Sequence, residues 1–208
     1  MSSWAKYALA PIVPLGALLG VLLGAACGTV TNETPDADMR PVACNGGTVD
    51  VLPNGNFDGT DPPWRSEPAS PSLLCGLPRI MPDSGTFAGC LGGGGDGTTT
   101  ALTLPIALPA GAISARLVGR ICIATEETQP LDSDIVTFDI LDGIVSVGML
   151  GRRTNLQGAA ACNFTSFTFD APLTRDPATA TFRVQSTLDV ADTTSFYVDS
   201  LRLTVACR

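Results

Sequence analysis

Seven cysteines hold most of the reactive chemistry in this chain: Cys27, Cys44, Cys75, Cys90, Cys122, Cys162 and Cys207. No two stand in a Cys-x-x-Cys pair, so a thiolate zinc site has no support and bridges are the better use. Histidine is absent, which removes histidine triads, the common zinc sites and histidine pH switches together. Lys6 is the only lysine, and no Gly-x-Ser-x-Gly occurs. The carboxylates are scattered through turn-like contexts, and nothing marks out a glycosidase-type pair. These residues point to a protein that is not an enzyme. The run Gly92 to Gly97 lacks the Lys-Ser/Thr ending of a phosphate cradle and occurs once, so it reads as a loop.

Six of the cysteines suggest an order of pairing. Cys75 and Cys90 bracket a loop rich in Pro and Gly, whose closure stabilises by roughly 3 kcal/mol in the chain-entropy model. Cys44 and Cys207 lie near the two ends of one domain, and domain termini are often close. Cys122 is then left with Cys162. Other pairings of six cysteines stay open.

The seventh, Cys27, closes an apolar run from Ala8 to Ala26 that follows Lys6. A basic start, an apolar middle and small residues before a cut site are the parts of an export signal. The run is also close to the roughly 20 residues that span a bilayer, so a retained single-pass helix is the alternative. Pro11 and Pro14 would disturb its first turns, and the next charge, Glu33, is acidic. Leu22-Leu23-Gly24-Ala25-Ala26-Cys27 resembles the end of bacterial lipoprotein signals, with Leu23 one place further from the cysteine than usual. That resemblance implies cleavage before Cys27 and a lipid on its thiol. Residues 1–26 are expected as signal peptide, 27–43 as lipidated cysteine and flexible linker, and 44–208 as the folded domain. The domain would face away from the cytoplasm in the cell envelope, at the outer membrane or cell surface, with its membrane contact made by the lipid anchor.

Charge narrows the partners. Losing Lys6 takes the formal charge from −8 to −9 and leaves arginine as the only basic side chain. Such a surface does not suit nucleic acid, nor electrostatic adhesion to anionic lipid. It does suit calcium, which takes oxygen ligands.

From residue 44 onward the pattern is short apolar alternation broken by Gly, Pro, Asn and Asp. Ile113, Ala115, Leu117, Ile121 and Ile123 share one strand face, with Arg116 and Arg120 opposite. Val136, Phe138 and Ile140 alternate with Thr137 and Asp139. Ala180, Phe182, Val184, Ser186 and Leu188 alternate with Thr181, Arg183, Gln185 and Thr187. Phe164 to Phe169 is a shorter piece of the same kind. In the last segment Phe196 and Val198 give way to Leu201, Leu203 and Val205, and this change of parity at Asp199-Ser200 predicts a bulge. The whole reads as an all-β antiparallel sandwich.

Asn54-Gly55-Asn56-Phe57, then Pro63-Trp64, resembles the opening of galactose-binding-like jelly rolls, the fold of many carbohydrate-binding modules. Ala88 to Gly93, Leu102 to Pro105, Ala115 to Ala124 and Phe196 to Asp199 resemble later strands of that family. The resemblance implies a structural calcium held by Asp58 and Asp199, with carbonyls from Asn56 or its neighbours. It departs from the family in having Asp58 where Glu is usual and Ser200 where a second Asp is usual. It also implies a glycan ligand, whose binding residues it does not identify. Trp64 and Tyr197, the only such rings outside the leader, sit at packing positions rather than stacking ones. Polar residues such as Asp132, Asp134, Arg152 and Asn155 lie in loops. The alternative is a structural envelope protein whose partner is another protein and which binds no carbohydrate.

Overall fold

Side chains that alternate in polarity with a period of two can bury one face of a strand and wet the other. In a computed structural model of the chain, which describes residues 46–59, 64–69, 71–93, 97–127, 132–190 and 193–208, such segments form two antiparallel sheets. In chain order the strands are β1 (Thr48–Asp50), β2 (Arg65–Glu67), β3 (Leu74–Cys75), β4 (Ala88–Gly92), β5 (Thr99–Ala107), β6 (Ala112–Thr125), β7 (Ile135–Asp142), β8 (Val145–Thr154), β9 (Thr165–Pro172), β10 (Thr179–Thr187) and β11 (Thr194–Cys207). One sheet runs β3-β4-β11-β6-β9, with β1 also pairing β11; the other runs β2-β5-β10-β7-β8. The chain crosses between sheets at almost every turn, and the quartets β4-β11-β6-β9 and β5-β10-β7-β8 make a jelly roll.

The inward faces supply one core. Leu117, Ile121, Val136, Phe138, Ile140, Phe182, Val184, Leu203 and Val205 are all buried in it. Trp64 is sandwiched between Phe57 and Phe182, at 4.8 and 6.0 Å between ring centres, and its indole N–H donates to the Asn54 carbonyl at 2.9 Å. A second ring cluster joins Phe138, Phe167 and Phe169. In β11 the parity change is a real irregularity. The pairing with β6 slips between Asp199 and Arg202, and Ser200 takes a positive φ of 51°. The slip returns Leu201 and Leu203 to the core side after Val198.

Cys75 joins Cys90 and Cys122 joins Cys162, with Cα atoms 6.0 and 5.4 Å apart. Both bonds lie on the outer face of the six-stranded sheet. Cys90 and Cys122 stand in register on either side of Tyr197, and the three are buried together under Cys75, Ile80, Cys162 and Phe164. Each bridge thus fastens a loop over that part of the sheet. Cys207 is also disulfide-bonded; Cys44, its expected partner, lies outside the described residues, as do the expected signal and the whole linker with Cys27. Among the described residues no helix is long and apolar enough to cross a membrane.

Candidate functional site

The bridged loops cover part of one sheet's outer face, whereas the outer face of the five-stranded sheet carries its residues in open rows. Cross-strand register places Arg65, Thr103, Arg183, Asp139 and Met149 side by side, one from each strand. A neighbouring row runs Glu67, Ala101, Gln185, Thr137 and Arg152. On the other side lie Pro105, Thr181, Leu141 and Ser146. Period-two alternation puts these residues outward because Leu102, Leu104, Phe138, Ile140, Phe182 and Val184 point in.

The centre of the face is an ion pair. Arg183 Nη2 donates to Asp139 Oδ2 at 3.3 Å, and Ser146 Oγ donates to Asp139 Oδ1 at 3.3 Å. Asp139 is almost wholly buried, and Arg183 Nε, also buried, has no partner. A guanidinium held this way keeps a donor in reserve close to the surface. Around it Arg65, Glu67, Thr103, Thr181 and Ile144 line a shallow groove of about 330 Å³. Ile144 at the β7–β8 turn is 97% exposed and Met149 62%, so one rim is apolar while the floor is polar.

The residues expected to hold calcium also anchor a loop. Asp58 Oδ1 accepts the amides of Thr86 and Phe87 at 2.7 and 3.0 Å, and Asn56 Nδ2 donates to Asp58 Oδ2 at 3.4 Å. Asp199 Oδ2 accepts the Ser84 amide at 2.8 Å, while Oδ1 accepts the Ser84 hydroxyl and the Ser200 amide. The two aspartates therefore hold the same loop, Ser84 to Phe87, at its two ends. Gly85 allows this: with φ at 62°, any Cβ there would collide with the Asp58 carboxylate. Burial raises the Asp199 carboxyl above its ordinary value, with the amides of Ser84 and Ser200 opposing. These contacts give Asp58 and Asp199 a structural task in holding that loop.

A second acidic group lies at the end of the sandwich where β6 leads towards β7 and β10 towards β11. Carboxylate oxygens of Glu127, Asp134 and Asp189 come within 4.8 Å of one another. Of these only Asp134 stood out in the sequence, and only as a polar loop residue. It meets Asn155, whose amide donates to the Asp134 carbonyl at 3.0 Å, and Asp132 pairs with Arg152 at 3.1 Å. The four polar residues singled out from the sequence are thus two contacting pairs, but Arg152 lies in strand β8 and not in a loop as expected, because β8 runs on to Thr154. Burial raises the Glu127 carboxyl, and the charges of Asp134 and Asp189 push it the same way, opposed by the Ser133 hydroxyl. The groove residues were partly visible beforehand, since Thr181 and Arg183 fell on outward positions. Arg65 and Glu67 gave no signal, because three-residue β2 carries too little pattern.

No family model matches the chain, and no curated protein matches it. Among solved structures it is similar to TmCBM61 in complex with beta-1,4-galactotriose, at 15% identity over 74% of this chain and 97% of that one, with a TM-score of 0.43. It is similar to the CBM22-1 xylan-binding domain from Paenibacillus barcinonensis Xyn10C, at 10% identity over 80% and 99%, with a TM-score of 0.46. It is also similar to the Stig cyclase Fisc from Fischerella sp. TAU, at 13% identity over 77% and 99%, with a TM-score of 0.49. Carbohydrate-binding modules recur among these likenesses beside a cyclase. At such identities and scores they carry no argument about what this chain binds.

Proposed function

We propose that the domain binds rather than transforms its ligand, and that the ligand is a glycan lying across the outer face of the five-stranded sheet. The observation that carries this reading is the Asp139–Arg183 pair at the centre of an open polar row, with a buried guanidinium nitrogen still lacking a partner. Sugar hydroxyls donate and accept at once, so they can meet a glutamate, two arginines and two threonines along one groove. Pro105, Leu141 and Ile144 offer apolar surface to the C–H faces of a ring. A larger hollow of about 400 Å³ lies against the six-stranded sheet between Arg116, Asp170 and Thr204. Its one ion pair, Arg116–Asp170, is exposed on both sides, so water already satisfies it and it is the weaker candidate.

A glycan array read with the wild-type chain and with Arg65→Ala tests the proposal. Arg65 is exposed at the sheet edge, so its loss should leave folding intact while weakening any hit about tenfold, the worth of one charged hydrogen bond. An array without hits sinks the glycan reading. It would favour the protein partner that the exposed apolar edge at Ile144 and Met149 also suits.

We also infer that the chain is exported and held at a membrane by a lipid on Cys27. The disulfides Cys75–Cys90 and Cys122–Cys162 support export, since such bonds persist in oxidising compartments. Metabolic labelling with radiolabelled palmitate should mark the wild-type chain and leave Cys27→Ser unlabelled. Equal labelling of both would reject the tether.

A further inference from the structure

Asp134 is wholly buried at the mouth of β7. Its Oδ1 accepts the Asp189 amide at 2.8 Å, and its Oδ2 meets no donor at all. A buried carboxylate oxygen without a partner is costly unless something positive reaches it. The other acids of the group lie beside this carboxylate: one carboxylate oxygen from each of Glu127, Asp134 and Asp189 falls within a single span of 4.8 Å. Glu127 itself is held by neutral donors, the Ser133 hydroxyl at 3.1 and 3.3 Å from its two oxygens and the side-chain amide of Asn155.

We propose that Glu127, Asp134 and Asp189 form a binding site for a hard divalent cation, calcium foremost, at the end of the sandwich where β6, β7 and β10 meet. The donor set is all oxygen, which excludes the softer metals that prefer thiolate or imidazole. Three carboxylates, each able to bind through one or two oxygens, with the Ser133 hydroxyl beside them and water, reach the six to eight ligands calcium takes. The three acids come from two loops, Glu127 and Asp134 from that between β6 and β7 and Asp189 from that between β10 and β11. A bound ion would therefore clamp these loops to each other. This site is separate from the Asp58–Asp199 position, and it stands whether or not the open face binds a glycan.

The test uses the full chain in detergent after treatment with EDTA. Titration with calcium chloride should give heat for one site, and saturating calcium should raise Tm by roughly 5–10 °C. Magnesium chloride should give the weaker response in both measurements. Glu127→Gln, at a half-exposed position where folding is least at risk, should lose the heat and the shift; Asp134→Asn should do the same if it folds. Asp58→Asn should keep both. No heat and no shift in the wild type would overturn the proposal. So would responses that survive Glu127→Gln, that vanish in Asp58→Asn, or that are stronger with magnesium than with calcium.

Discussion

Asp199 shows how one buried carboxylate can set local geometry and respond to pH. It has no exposed surface, yet three donors converge on it: the Ser84 amide, the Ser84 hydroxyl and the Ser200 amide. Replacing it by Asn sets an N–H₂ group against N–H donors and should destabilise the domain by about 1–3 kcal/mol. Burial raises the folded-state pKa above the ordinary 3.8, so the folded chain holds this proton more tightly than the unfolded chain does. The stabilisation from that proton is fully present below the ordinary value and is lost as pH rises through the folded value. The Tm gap between wild type and Asp199→Asn is therefore expected to narrow as pH rises from about 3.8, and a widening gap would contradict the assignment. At the same scale, the sequence showed that Asp139 and Arg183 point outward, because each sits between core residues of a clean alternation. It could not show that they are opposite one another, since register between β7 and β10 depends on strands far apart in the chain.

At the scale of elements, the loop from Cys75 to Cys90 is held three times over. Its ends are joined by the bridge, Asp58 takes the amides of Thr86 and Phe87, and Asp199 takes that of Ser84. Converting both cysteines to Ser should cost roughly 3 kcal/mol by the chain-entropy account of a 15-residue closure. Guanidinium unfolding read by tryptophan fluorescence measures this, and a loss under about 1 kcal/mol would mean the two aspartates alone fix the loop. The pairings of Cys75 with Cys90 and of Cys122 with Cys162 were readable because each joins segments whose separation or place in the chain limited the choice. The long strands β6, β7, β10 and β11 were readable from alternation, and the bulge in β11 from its break. Strand β8 was not: Val145-Ser-Val-Gly-Met-Leu-Gly-Arg-Arg-Thr154 interrupts its apolar pattern with two glycines. Those glycines make room for neighbouring side chains, Gly148 for Leu173 and Gly151 for the Phe169 ring, a reason that exists only once β9 lies across it. The acidic group was hidden for a similar cause, since Glu127, Asp134 and Asp189 meet only through two separate loops.

At the scale of the whole molecule, the two sheets differ in what their outer faces offer. The six-stranded sheet has loops stapled over the Cys90–Tyr197–Cys122 row, while the outer face of the five-stranded sheet exposes Arg65, Glu67, Ser146 and Arg152 around a buried Asp139. A net charge of −8, with arginines committed to pairs such as Arg183–Asp139 and Arg202–Asp50, fits a neutral ligand better than a polyanion. Chemical-shift mapping decides whether the outer face of the five-stranded sheet binds a glycan. Amide spectra of the ¹⁵N-labelled chain would be recorded with a panel of soluble cello-, xylo-, galacto- and manno-oligosaccharides. Binding on that face should give concentration-dependent shifts at Arg65, Thr103, Thr181 and Arg183 with at least one of them, and none at Ser114, Arg116 or Thr204. Shifts confined to the six-stranded sheet, or no shifts with any member of the panel, would contradict it.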